Sequence, residues 1–213
     1  MSTWTSERTP TRSAATRIAL LAVLALAGCF DLGRAVPNLS RGGDATRVFQ
    51  DPGGLRIAGP RGYCVDTENS EAANGAGFVL LGGCDILADA RRGPQHYAIL
   101  SATYANTDGP GSTQDYATFF ATAQGRAMLS RADDPGTVTI LDSRVSRGVL
   151  YLHVRDTSPN PGARLAAEHW RAAFPLGNHG VMLSVHGTDS NPIGTADGRS
   201  KIGDFVRAVQ RAN

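Results

Sequence analysis

From residue 55 onward, apolar and polar side chains alternate over several short stretches, the two-residue period of half-buried strands. LRIAGPRGYCVDT predicts short strands around Ile57 and over 63–66. ENSEAANGAG is a polar, glycine-rich connection, FVLLGGC a buried strand and HYAILSATYA another. Beyond DDPG, TVTILDSR and VLYLHVRD flank the short turn VSRG and predict an antiparallel hairpin. HWRAAFPL and VMLSVHG flank GNHG and predict a second, with Trp170, Ala172, Phe174 and Leu176 on one face and His169, Arg171 and Pro175 on the other.

Two segments carry a helical period instead. STQDYATFFATAQGRAMLSR (112–131) places Tyr116, Phe119, Phe120, Ala123 and Ala127 on one stripe; Ser112 is its expected cap and Asp115 stands at the third helical position. Gly125 inside it costs about 1 kcal/mol relative to alanine. SKIGDFVRAVQRAN ends the chain with Ile202, Phe205, Val206 and Val209 at i, i+3, i+4 and i+7.

Upstream of residue 55 the pattern changes. Ile18 to Ala27 are uninterruptedly apolar and follow Arg8, Arg12 and Arg17. Such a run makes a helix of roughly 15 Å, half the length of a spanning segment of about 20 residues, and has the charge order of an export signal. Leu26-Ala27-Gly28-Cys29 resembles the lipobox of bacterial lipoproteins. That resemblance implies a signal peptide over 1–28, cleavage before Cys29, and a diacylglyceryl group on its sulfur. Two or more acyl chains anchor a protein stably to a membrane without spanning it. Phe30 follows the cysteine where the enteric inner-membrane retention rule has aspartate, so the implied address is the periplasmic face of the outer membrane. An ordinary secretory signal with a chance cysteine is the alternative. Residues 29–54, rich in proline, glycine and mixed charges, read as a tether, with a short strand near 46–49.

Removing the signal changes the charge balance. Residues 1–28 hold three of the 21 basic and one of the 19 acidic residues, so the remainder is formally neutral. This lacks the basic excess of a general nucleic-acid binder, and no nucleic-acid partner is expected. With Cys29 assigned to a lipid, Cys64 and Cys84 remain for a disulfide in an oxidising compartment, two buried thiols being the alternative. A zinc site would need a CxxC or a nearby histidine pair, and no metal or cofactor is expected.

The order of elements predicts an α+β fold over 55–213, a single antiparallel sheet with helices packed on its faces. In that order it resembles the PsbP and Mog1-like α-β-α sandwich family, and GYCVD and FVLLGGC are similar to stretches of uncharacterised alphaproteobacterial exported proteins. The sandwich resemblance implies a binding or assembly module more than an enzyme.

Candidate chemistry is sparse. GxSxG, HExxH, Walker and dinucleotide signatures are missing from the sequence. Asp66, Glu68 and Glu71 lie in CVDTENSE, which reads as a solvated acidic loop and lacks the pattern of a calcium loop. His179 and His186, seven apart on one strand, point to opposite faces. Ser143 and Ser184 lie on elements adjacent to histidines, but nothing in the spacing selects a nucleophile, and no catalytic residue is assigned. His153 and Arg155 share one strand face and His169 and Arg171 another; if those faces align, the four form a patch for carboxylate or phosphate. An ordinary polar sheet face is the alternative. The expected function is a lipid-anchored envelope protein whose noncatalytic domain binds a protein or small ligand; an envelope-protein partner, a periplasmic hydrolase or an envelope-assembly subunit are its variants.

Overall fold

The computed structural model describes residues 46–88, 93–107, 111–159 and 164–213. Cys29, the expected signal over 1–28 and most of the expected tether lie outside the described residues. The strands are β1 (Val48–Gln50), β2 (Arg56–Ala58), β3 (Tyr63–Ala73), β4 (Ala76–Gly83), β5 (Ile99–Asn106), β6 (Val138–Ser146), β7 (Val149–Asp156), β8 (Leu165–Leu176) and β9 (His179–Thr188). The helices are α1 (Cys84–Leu87), α2 (Thr113–Ala121), α3 (Ala123–Ala127) and α4 (Thr195–Ala212).

β3 to β9 form a seven-stranded antiparallel sheet in the order β3-β4-β5-β9-β8-β7-β6, and β1 pairs with β2 in a separate two-stranded sheet. The expectation of a single antiparallel sheet with helices packed on its faces, in the PsbP/Mog1-like manner, is overturned. The protein is mostly β, with two sheets and few helices. Two local features account for the difference. The short strands expected near 46–49 and around Ile57 pair with each other as the β1–β2 ribbon, apart from the large sheet, and pack Leu55 and Ile57 into the core beside α4. The long helix expected over 112–131 is broken at Thr122, which adopts an extended conformation.

That break has an identifiable chemistry. Ser112 and Asp115 form the capping box that starts α2, as the sequence predicts. Thr122 stops α2 by donating its backbone N–H to the Phe119 carbonyl, and its hydroxyl oxygen accepts the Gly125 N–H to cap α3. The chain doubles back so closely there that a Cβ on Gly125 would lie 2.1 Å from the Phe119 carbonyl oxygen. Glycine at 125 is therefore the residue that permits the bend.

The two hairpins expected around VSRG and GNHG form as β6–β7 and β8–β9. Arg147 and Gly148, with φ of 51° and 72°, make a two-residue turn in the left-handed region that matches strand twist.

One face of the large sheet buries Val79, Leu81, Leu100, Trp170, Ala172, Phe174, Leu183 and Val185 against Ile202, Phe205, Val206 and Val209 of α4 and against β2. The other packs Leu150, Leu152, Val154 and Ala173 under Tyr116 and Phe120 of α2 and under Leu129. Cys64 near the start of β3 and Cys84 at the start of α1 form the expected disulfide, with Cα atoms 4.9 Å apart, and Leu87 packs beside them.

Candidate functional site

Strand register separates the residues that the sequence grouped. His153 is paired across from Trp170 and Arg155 from Glu168, on the α4 side, whereas His169 and Arg171 are paired across from Val154 and Leu152, on the α2 side. Directly opposed residues share a face, so the two pairs point away from each other and the four do not form one patch. His153 and Arg155 converge instead on Glu168. His153 Nε2 lies 3.1 Å from Glu168 Oε2, and Arg155 donates from Nε and an Nη to Oε1 at 3.1 and 2.6 Å. The imidazole also stacks on Trp170, 4.5 Å between ring centres. Hydrogen bonding from Arg155 holds the Glu168 carboxyl below its ordinary range.

His169 and Arg171 belong to a closed polar cluster beneath the segment that follows α3. Arg171 donates from Nε to His169 Nε2 at 3.2 Å, a contact that needs an unprotonated Nε2 on that ring. His169 stacks on His186 at 4.5 Å. Burial, together with neighbouring charge from Arg171 and Arg131, pushes His169 well below the usual histidine range and His186 down to about 3. Burial likewise lowers Arg171 to about 10. Asp156, fully buried, accepts the backbone N–H groups of Arg131 and Ser158 and faces the Arg131 guanidinium at 3.3 Å, and its carboxyl is held low despite burial. Arg131 also donates to the carbonyls of Asp156, Ser158 and Ala166. The Arg131, Asp156 and Arg171 contacts clamp the 129–137 segment, while His169 Nδ1, His186 Nδ1 and Ser158 Oγ are buried without a hydrogen-bond partner among the described residues.

The stretch expected as a solvated acidic loop belongs to β3, with Asp66 buried and Glu68 and Glu71 exposed along the strand. Asp66 accepts the backbone and side-chain N–H groups of Asn69 and so braces the bulge in β3. His179 packs edge-on against Tyr104 and His186 stacks on His169, on opposite faces as expected. Ser184 is buried opposite Arg171, while Ser143 is exposed on β6. Among the described residues no group of three histidine, cysteine or acidic side chains is placed to hold a metal ion.

An open groove of about 700 Å³ lies instead at the start of α4, lined by Arg47, Arg61, His96, Asp197, Lys201 and Asp204, with Ser200 and Gln95 between them. The helix supplies it by periodicity. Asp197, Ser200, Lys201 and Asp204 fall at i, i+3, i+4 and i+7, a polar stripe beside the apolar one that enters the core. Gly198, under which Trp170 packs, seats the helix: a Cβ there would stand 2.4 Å from the indole. The opposite wall is the turn between β2 and β3. Gly62 has φ of +89°, and its Cα approaches Pro94 so closely that a Cβ would meet it at 2.9 Å. The Tyr63 hydroxyl donates to the His96 carbonyl at 2.8 Å and holds 94–96 in place.

Cationic groups dominate the groove. Lys201 lies over the face of Tyr63, its Nζ 5.1 Å from the ring centre, and desolvation lowers its ammonium against the opposing pull of Asp204 and Asp197. Asp204 is bonded by Arg207, and Asp197 lies 3.8 Å from His96 Nδ1. Arg47, Arg61 and Lys201 make no ion pair among the described residues. Two guanidiniums and an ammonium around an open concavity, with Asp204 bonded by Arg207, suit an anionic group. Sequence reasoning passed over this site. Its signal was the second stripe of α4, which contains the chain's only lysine.

Compared with family models, curated proteins and solved structures, the chain finds no match. The groove therefore rests on its own geometry.

Proposed function

We propose that the chain is a lipid-anchored protein of the bacterial cell envelope, facing the periplasm, whose folded domain binds without catalysis a small ligand or protein segment bearing a carboxylate or phosphate. The observation that carries the binding reading is the convergence of Arg47, Arg61 and Lys201 on one open groove. The lipobox-like Leu26 to Cys29 supports the anchor, and a Cys64–Cys84 disulfide is compatible with export. Outer-membrane placement follows from Phe30 after the anchoring cysteine.

Two measurements test the two halves separately. Palmitate labelling of cells producing the wild type or Cys29→Ser should label only the wild type; label persisting in the variant contradicts the anchor. Calorimetric titration with inorganic phosphate, a dicarboxylate and a peptide with a free carboxyl terminus should give heat for at least one of them. Arg61→Ala and Lys201→Met should each weaken that binding about tenfold, as loss of a charge-assisted contact does. Unchanged affinity in both variants contradicts the groove.

A further inference from the structure

β6 is the outer strand of the large sheet, and among the described residues no strand pairs with its free side. Edges of this kind are usually protected by charge, proline or a bulge. β6 has a bulge between Ile140 and Asp142, yet the stretch from there to the Arg147-Gly148 turn stays regular and exposed. Of the three large apolar side chains exposed among the described residues, Leu141 and Val145 lie on this strand, 39% and 48% accessible.

The hairpin turn sets which backbone groups are free. A two-residue turn closes on a hydrogen-bonded pair, here Ser146 with Val149, and bonding alternates from it. Arg144 and Asp142 therefore turn their N–H and C=O groups toward β7, while Val145 and Ser143 turn theirs outward. We propose that β6 is a homodimerisation edge, on which a second copy of the chain pairs antiparallel about a two-fold axis at Ser143.

The occupant follows from charge and register. Two-fold pairing of an edge with itself must centre on one residue, because opposed residues must both turn their backbone groups inward or both outward. Centring on Asp142 sets two carboxylates face to face, and centring on Arg144 sets two guanidiniums so. Centring on Ser143 places Asp142 opposite Arg144 of the second copy twice over, and Val145 opposite Leu141. Both charged residues lie on the α4 face and are themselves exposed: Asp142 lies 3.3 Å from the exposed Arg199, and Arg144 sits over the ring of the half-buried Tyr151. The bulge limits the shared ladder to about five residues a side, which makes a weak, concentration-dependent dimer.

Sedimentation velocity of the full chain over a wide concentration range tests this. The wild type should shift from monomer to dimer as concentration rises. Asp142→Arg and Arg144→Asp should each weaken association about tenfold, since either change opposes like charges at both symmetry-related contacts. The double exchange Asp142→Arg with Arg144→Asp restores opposite pairs and should restore the dimer. A chain that is monomeric at every concentration overturns the proposal. So does association that the single changes leave intact, or that the double exchange does not recover.

Discussion

Buried histidines give this protein a pH dependence with a defined sign. His169 and His186 are held neutral in the fold, His186 with a value of about 3, whereas in the unfolded chain each titrates near 6.5. Both folded values are depressed, so the unfolded state binds more protons throughout the interval between them. Stability is fully present above about pH 6.5 and falls as pH drops; His186 contributes on the order of 1 kcal/mol per pH unit down to about 3, and His169 adds a loss of the same sign. Asp156 and Glu168 add their loss only lower, as pH falls through the carboxylate range. Urea midpoints between pH 7 and pH 4 should show the decline, and His186→Gln should flatten it. A slope unchanged in that variant would show that His186 does not stay neutral in the fold. A second prediction reverses the usual expectation for a helical glycine. Gly125→Ala gains helix propensity but drives a methyl group into the Phe119 carbonyl, so it should destabilise by about 1–3 kcal/mol. A thermal midpoint equal to or above that of the wild type would remove the explanation given for the break between α2 and α3. The sequence shows Gly125 as a weak point in a helix, but the chain reversal that requires it depends on Thr122 taking an extended conformation, which propensity does not encode.

Among elements, the connection from α3 to β6 is held mainly by buried charge. Asp156 on β7 neutralises Arg131 and binds its backbone, so Asp156→Ala leaves a guanidinium without its carboxylate in a dry environment. A loss of about 3–5 kcal/mol is expected, readable as a shift in denaturant midpoint; a loss below about 1 kcal/mol would mean that the pair is solvated. The link between β3 and α1 is covalent, closing a sequence separation of 20 residues. Replacing Cys64 and Cys84 together by serine should cost about 3 kcal/mol in the chain-entropy account, and the same cost should appear in the wild type under reduction. Element identity was largely legible in the chain. A continuous apolar run marked β4, alternation marked the strands of the two later hairpins, and the i, i+3, i+4, i+7 stripe marked α4. Relative facing was not legible. The sequence pairs His153 with Arg155 and His169 with Arg171 correctly on their own strands. Whether the pairs share a side depends on register between β7 and β8, and a single-residue offset inverts it.

For the whole molecule, the same limit explains the missed fold class. Period and capping predicted a helix over 112–131 long enough to cover a sheet face, and composition read 29–54 as a tether carrying only a short strand near 46–49. In the folded chain that first segment breaks in two, and the short strand near 46–49 pairs with β2 as a separate sheet. Both outcomes depend on contacts far away in sequence: Phe120 beneath the sheet's α2 side, and Leu55 and Ile57 beside α4. The groove is a product of the same assembly. Arg47, Arg61 and Lys201 come from three separate parts of the chain, so no local motif announces them. The groove thus presents Arg47, Arg61 and Lys201, without an ion pair among the described residues, while β6 forms an outer edge of the large sheet. Ligand binding and self-association should be separable by substitution at one site or the other. The most direct measurement is a nitrogen-15 amide shift map of the full chain titrated with inorganic phosphate and with a dicarboxylate. Saturable changes centred on Gly62, Gln95, Ser200 and Lys201, weakened in Arg61→Ala, are the predicted result. Changes centred on His153 and Arg155, or no saturable change around the start of α4, would contradict the assignment of the groove as the binding site.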